Sequence, residues 1–237
     1  MRGVPSTFGV ARLYASGDPD PTFGNGGYRA NPSDGGGGSR RVILQDDGRI
    51  VTAAQTAGGQ LFSAVRFENG ICPDAPLAGC APAASARLVI AERSTGYKVA
   101  WKWRGAPLAA GSLGEPLETS GYTLCLYDAD GLVLHALAPA GDGWRAAGTG
   151  FRYAATETSA HGLSRVKLLE NGRMKAVGRD LALDASLPAT LPLTAQLVRA
   201  DAPECWKATY LPAGVKRNDP TAFKGRASSP SGAFVDG

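Results

Sequence analysis

The sequence predicts an all-β protein, in which one propeller-blade-like β meander is followed by a β-sandwich or jelly-roll-like domain. Three observations lead to this fold class. The 237 residues include 32 Gly and 16 Pro, both above average usage. The apolar residues occur in runs of strand length bounded by turn residues. Sustained helical spacing is absent beyond about two turns, and the one weak helical candidate is residues 219–224.

The N-terminal part reads as five short strands joined by turns. The step from Asp47 to Gly48 lies between two apolar runs, which is a strong hairpin signal. In the last strand Phe62 and Ala64 share one face and Val65 lies on the other, so both faces are mostly apolar, as in a strand between neighbouring blades. A four-stranded meander repeated radially is a β-propeller. The predicted strands are 8–14, 27–30, 41–45, 49–55 and 61–67.

An internal repeat supports this architecture. The segment FGVARLYASG at 8–17 returns as FSAVRFENG at 62–70, with Phe8 and Phe62 separated by 54 positions (62 − 8). One repeat unit does not bury its own apolar face, and about three or more stacked units are normally needed. We therefore expect further repeats to be missing from this chain, which would then be the truncated end of a longer array.

The same region resembles the delta-60 repeat of bacterial proteins. The segments that carry the resemblance are RLYASGDPDPTFGNGG, VILQDDGRIVTAAQT and FSAVRFENG, roughly within residues 5–70. The positions that match in order are Arg12, Asp20, Phe23, Gly24, Gly26, Gly27, Gln45, Asp47, Gly48 and Ile50. The resemblance implies a propeller-like blade of a secreted or surface protein, although members of that family carry several tandem copies.

The four cysteines indicate an oxidising compartment, because their number is even. Cys72 and Cys80 bracket a short Pro- and Gly-containing loop in the linker predicted at 71–84, and we expect a disulfide between them. Cys125 and Cys205 lie in two predicted strands, where an inter-sheet bridge is the corresponding expectation. Four free thiols in a cytosolic protein are the alternative. A zinc site is disfavoured, because there is no CxxC pair.

The second module, at 85–226, shows the clearest period of two in the chain. One face of its first recognisable strand carries Tyr97, Val99, Trp101 and Trp103, and the other carries Lys98, Ala100, Lys102 and Arg104. Further strands are predicted at 121–127, 132–138, 151–154, 163–169, 173–178, 192–199 and 205–210. Many short strands with regular turn signals predict a sandwich or jelly roll, and residues 227–237 are expected to form a disordered tail.

The second module also resembles a C-terminal module of long, predicted secreted bacterial proteins. The resemblance rests on the segments WKW, LGEPL, YTLCLYD, GFRY, LPLTAQL and CWKATY. It implies a location outside the cytoplasm and no particular activity.

Signatures of catalysis, cofactor binding and metal binding are weak. There is no G-x-S-x-G or H-E-x-x-H motif, His135 reads as a satisfied strand residue, and His161 lies in a turn. The glycines at 35–38 read as a flexible loop, because no Lys with Ser or Thr follows them. Asp18 and Asp20, with Asn25, only weakly suggest calcium. We therefore predict no enzyme, no cofactor and no metal site.

Aromatic residues offer one candidate for ligand stacking. All four Trp lie in the second module, and Trp101 and Trp103 are expected in its core. Trp144 follows a Gly-Asp-Gly turn, which makes it the best candidate for an exposed ring that stacks on a sugar.

Charge and hydropathy restrict the class of partner. The net charge of +4 is spread evenly, without a basic stripe interleaved with aromatics, so no nucleic-acid partner is predicted. No apolar run is long enough to span a membrane, and residues 1–20 lack the apolar stretch of a secretory signal.

The function predicted from the sequence is that of a non-enzymatic extracellular or cell-surface protein. It would scaffold, display, or bind a glycan or envelope component. A structural spacer or a secretion or anchoring module is the alternative. A glycoside hydrolase built on Glu115, Glu118 and Asp128 is disfavoured, because nothing in the sequence pairs these carboxylates.

Overall fold

A computed structural model shows an almost entirely β protein and confirms the predicted fold class. The chain divides into two compact units, Met1–Pro73 and Asp74–Gly237. The described residues contain no α-helix and one short 3-10 turn, Pro212–Gly214. The structure describes residues 7–13, 17, 19, 28–32, 39–44, 50–55, 62–67, 72–73, 75–157 and 162–228.

The described residues of the first unit form five strands close to the predicted positions. These strands form two separate sheets, a hairpin of β1 and β2 and a three-stranded antiparallel meander, β3-β4-β5, in which Leu44 pairs with Ile50. The described meander has three strands, and both the propeller blade and propeller closure stay predictions. The turn predicted at 46–48 lies outside the described residues. The strands are β1 (Thr7–Ala11), β2 (Tyr28–Pro32), β3 (Ser39–Leu44), β4 (Ile50–Gln55) and β5 (Phe62–Phe67).

The second unit is a sandwich of two sheets. Its strands are β6 (Ala81–Pro82), β7 (Ser85–Arg93), β8 (Gly96–Arg104), β9 (Tyr122–Tyr127), β10 (Leu132–Ala138), β11 (Trp144–Ala146), β12 (Gly150–Ala154), β13 (Leu163–Leu169), β14 (Arg173–Leu181), β15 (Leu193–Arg199), β16 (Cys205–Tyr210), β17 (Val215–Asp219) and β18 (Ala222–Ser228). One sheet has the order β11-β12-β13-β14-β8-β7-β18-β17, and the other has the order β10-β9-β15-β16-β6. Every pairing between these named strands is antiparallel except that of β6 with β16, and an isolated parallel bridge joins Leu137 to Gly162.

The core lies between these two sheets and is built from the inward positions of their strands. Val99, Trp101 and Trp103 of β8 are buried, while Lys102 and Arg104 are exposed, so the predicted alternation is confirmed. Burial of a ring as large as that of Trp101 is worth about 4–6 kcal/mol of transfer free energy. Because the inward positions form the core, the outward positions of the eight-stranded sheet form one broad solvent-facing surface.

The weak helical candidate at 219–224 is instead a tight hairpin turn between β17 and β18. Oδ1 of Asp219 accepts hydrogen bonds from the backbone N–H groups of Thr221 and Ala222, at 3.0 Å each. An Asp side chain that captures nearby N–H groups stabilises a turn at the expense of a helix. The sequence prediction also missed five strands: β6, β7, β11, β17 and β18.

The disulfide pairing expected from the sequence is wrong. Cys80 is bonded to Cys205, with 4.7 Å between their Cα atoms and 125 positions between them in the chain. Cys72 and Cys125 are also disulfide-bonded, so the chain has no free cysteine. The prediction of an oxidised set of four is therefore confirmed, whereas the short Cys72–Cys80 loop and the Cys125–Cys205 bridge do not form.

Cys80 bonds to Cys205, and not to Cys72, because the segment before Cys80 is held against the sandwich. The buried side chain of Gln196 on β15 accepts a hydrogen bond from the Leu77 backbone N–H at 2.9 Å and donates one to the Leu77 carbonyl at 2.8 Å. Three residues later Cys80 lies beside Cys205, which pairs with Val198 of the same strand as Gln196. The segment thus lies against β15 and β16 and does not close on itself.

Candidate functional site: a basic sheet face

Trp144, the predicted stacking residue, is not available to a ligand. Its side chain is 7% exposed, and its Nε1–H donates a hydrogen bond to the carbonyl of Pro139 at 2.7 Å. Its ring centroid lies 5.5 Å from that of Tyr122 and 5.2 Å from that of Tyr153. Gly143, with φ of 87°, turns the chain so that Trp144 enters β11 on the core side. The prediction of an exposed ring is therefore wrong.

The histidine described by the structure is satisfied, as predicted. The side chain of His135 is 16% exposed, and its Nδ1 lies 2.9 Å from Oδ2 of Asp184, which also accepts a hydrogen bond from the His135 backbone N–H. His161, the glycines at 35–38, and the candidate calcium ligands Asp18, Asp20 and Asn25 lie outside the described residues.

The carboxylates proposed for a hydrolase have other surroundings. Asp128 accepts hydrogen bonds from the backbone N–H groups of Asp130, Gly131 and Thr190 and so holds a turn together. Glu115 and Glu118 are both exposed. Within the described ranges, no group of three or more His, Cys, Asp or Glu side chains is placed to hold a metal ion.

Among the described residues of the sandwich, the most buried charged side chain belongs to a structural network. Arg199 is 8% exposed and forms ion pairs with Asp201 at 2.9 Å and with Glu204 at 3.1 Å. Nearby, Tyr122 donates a hydrogen bond to the carbonyl of Leu113, and burial raises the pKa of this phenol well above its ordinary value. These contacts hold neighbouring loops against the sheet, which is a structural role.

The feature that remains is a continuous row of cations on the solvent-facing side of the eight-stranded sheet. Seven adjacent strands, from β11 at one edge to β18, each place one Lys or Arg directly opposite the next. Six of the seven side chains are exposed, and Lys167 is half-buried. We call this set the basic row: Arg145, Arg152, Lys167, Lys175, Lys102, Arg87 and Arg226.

The basic row crosses the strands at a right angle. Neighbouring strands lie about 4.8 Å apart, so the six intervals between seven strands cover about 29 Å. Seven of the 25 Lys and Arg residues of the chain lie in this single line. A linear array of this length is suited to an extended ligand.

Nothing within the described residues neutralises the basic row. None of its seven side chains forms an ion pair in the part of the chain that the structure describes. Along each strand, the next outward-facing positions before and after the basic-row residue include further cations and no acidic residue. They include Arg165, Arg173, Arg104 and Lys224, of which Lys224 pairs across the strands with Arg217. Arg217 differs from the others because it forms an ion pair with Asp219.

Three shallow depressions follow the same face. One, of about 720 Å³, is lined by Arg145, Arg152 and Lys167 beside Gly148 and Thr149. Another, of about 380 Å³, is lined by basic-row members from β8, β14, β7 and β18. The third, of about 730 Å³, lies at the β7, β18 and β17 end. The surface therefore offers grooves as well as charge.

Sequence reasoning missed the basic row, because its members come from seven separate segments. The signal present in the sequence was a Lys or Arg on the polar face of most strands, as in KVAWKWR, SRVKLL and RMKAV. Only the pairing register converts these scattered charges into a line. The even spread of charge along the chain therefore gave no indication of the concentrated charge on this face.

Comparisons with known proteins provide no further indication of the site's role. The scan against protein-family models, the search of curated proteins and the search of solved structures each returned no match. In the described part of the chain, no helix is long and apolar enough to cross a membrane.

Proposed function

We propose that this chain is a non-enzymatic extracellular or cell-surface protein whose sandwich unit binds an anionic glycan or envelope polymer through the basic row. The observation that carries the proposal is the direct opposition of seven like charges. Like charges opposite one another in a sheet destabilise it, and seven in succession are costly unless a partner compensates them. A polyanion compensates them and releases its own counterions on binding.

The disulfides support an extracellular setting, because such bonds persist in oxidising compartments. The anionic glycan replaces the sugar-stacking interpretation that rested on Trp144. In this proposal charge, and not aromatic stacking, recognises the ligand, and the N-terminal delta-60-like unit displays or extends the sandwich. A structural spacer, the alternative function, does not account for a row of cations that form no ion pair with the described residues.

The test uses the full chain with its disulfides intact. Binding to polygalacturonate and to neutral dextran is measured by titration calorimetry at low and high salt. We expect binding to the polyanion alone, with an affinity that falls as salt rises. The triple variant Arg152→Gln, Lys167→Gln and Lys175→Gln should lose about 100-fold in affinity, since each cation near an anionic surface contributes about 1 kcal/mol.

A matched control changes the net charge equally at positions outside the basic row. Arg179, Lys207 and Lys216 are replaced together by Gln, and the affinity should change by less than about threefold. Equal losses in the two triple variants, or no binding of any polyanion by the unmodified chain, would refute the proposed function.

A further inference from the structure

We propose that the ligand is a linear polysaccharide with one anionic group on every sugar, lying across the strands along the basic row. This inference rests on the proposed function and specifies its ligand. The inference is argued from three properties of the outward face of the eight-stranded sheet. These are the spacing of its charges, its twist, and the chemistry of the residues beside the basic row.

The spacing of the cations selects the charge density of the polymer. Each member of the basic row is one strand away from the next, about 4.8 Å. A polysaccharide that carries a carboxylate on every sugar presents its charges at a similar interval, so successive sugars meet successive strands. A polymer with a charge on alternate sugars leaves half of the cations without a partner.

The twist of the sheet selects a single flexible chain. Adjacent strands in a sheet rotate by about 20–25°, so the outward side chains turn progressively about the line of the basic row. A single polysaccharide chain can follow this turn. A nucleic-acid duplex, with a persistence length of about 50 nm, is too stiff to follow it over so short a distance.

The positions beside the basic row favour a sugar over a nucleobase. Single-stranded nucleic acid is held by aromatic side chains on which its bases stack. All four Trp of this chain are buried. The neighbouring outward row contains Ala100 and Val89 opposite each other on two central strands, and both are half-buried. These short apolar side chains form a low shelf beside the long cationic ones, where the C–H face of a sugar ring can lie.

The number of members in the basic row sets the length of the ligand. A chain shorter than the row leaves cations unpaired, and a longer one gains no further contact within a single site. Affinity should therefore rise with each added sugar up to about seven and then level off.

The experiment measures affinities of the full chain for galacturonate oligomers from the disaccharide to the decasaccharide. Hyaluronan oligomers of equal sugar number, which carry a carboxylate on alternate sugars, and single-stranded oligo-dT are measured in parallel. We expect a plateau near the heptamer and at least tenfold weaker binding of hyaluronan and oligo-dT. These measurements need no variant, so they hold whether or not a substitution disturbs folding.

Two triple variants then separate position from charge. One removes Arg152, Lys167 and Lys175 of the basic row, and the other removes Arg165, Arg173 and Lys224 from the flanking positions, each by replacement with Gln. Both lower the net charge by three, and the basic-row variant should lose at least tenfold more affinity.

The outcomes distinguish the two proposals. If no polyanion binds, the proposed function fails. The spacing inference is overturned, and the proposed function stands, if polyanions bind but galacturonate and hyaluronan bind equally or no plateau appears. Equal losses of affinity in the basic-row variant and the variant of the flanking positions Arg165, Arg173 and Lys224 have the same consequence. Tighter binding of oligo-dT than of galacturonate would overturn the saccharide assignment.

Discussion

Replacement of Lys175 by Gln should stabilise the folded sandwich while it weakens polyanion binding. Lys175 lies on a central strand, directly opposite Lys167 on one side and Lys102 on the other. Cross-strand pairs are worth roughly 0.2–1 kcal/mol each, with like charges unfavourable. Removal of one central charge relieves two such contacts, so the free energy of unfolding should rise by about 0.4–2 kcal/mol in the absence of ligand.

Urea denaturation followed by Trp fluorescence measures this change in the second unit alone, because all four Trp lie in it. The gain should be present near 0.01 M salt, where the Debye length is about 30 Å, and should disappear near 1 M salt, where it is about 3 Å. The control is Lys216→Gln, an exposed position with no residue opposite it in the β17–β18 register. The argument that repulsion within the basic row destabilises the fold would be refuted in three cases. The increase in the free energy of unfolding could be independent of salt, equal in the control variant, or absent at low salt.

The remaining predictions concern parts of the fold outside the basic row. Trp144→Ala should lower the free energy of unfolding, measured by urea denaturation, by about 3–5 kcal/mol. The control Leu117→Ala, at an exposed position, should change it by less than about 0.5 kcal/mol. Equal effects of the two substitutions would show that Trp144 is not a core residue. Cys205→Ser should cost about 2–5 kcal/mol by the same measurement, because its disulfide closes a loop of more than 100 residues, and an unchanged midpoint would contradict this. The Arg217 guanidinium and the Thr221 hydroxyl and N–H hold the pKa of Asp219 well below its usual range. Because the pKa is lower in the folded state, the ionised carboxylate stabilises the fold at pH values above the unfolded-state pKa of about 3.9. This stabilisation is lost as the pH falls toward the folded-state pKa. An NMR titration of the Asp219 carboxyl with a midpoint near 3.9 would refute the assignment.

The sequence was sufficient to locate most strands of the sandwich. The alternation of Val99, Trp101 and Trp103 with Lys98, Lys102 and Arg104 predicted which face of β8 is buried, and the structure agrees. Period-2 alternation is a local property, because successive side chains of a strand point to opposite sides. The same reasoning failed for β17 and β18, where an Asp-centred turn replaces the short helix that the residues suggested.

The disulfides and Trp144 show where local reasoning stops. The even number of cysteines indicated that all four are oxidised, but proximity in the chain suggested the wrong partner for Cys80. Its actual partner is decided by Gln196, a buried residue 116 positions away that holds the preceding segment against β15. Trp144 likewise follows a turn that reads as exposed, and the direction of its side chain depends on how β11 joins the sheet edge.

The sequence by itself determined most of the strands, the polarity of their two faces and the oxidation of the cysteines, because each depends on residue type and on neighbours in the chain. The tertiary structure alone decided the pairing of Cys80 with Cys205 and the alignment of Arg145 through Arg226 into one basic row. Both depend on which distant strands become neighbours and in which register. A shift of one residue in any strand would turn its cation toward the core, so the candidate site exists only because seven registers agree.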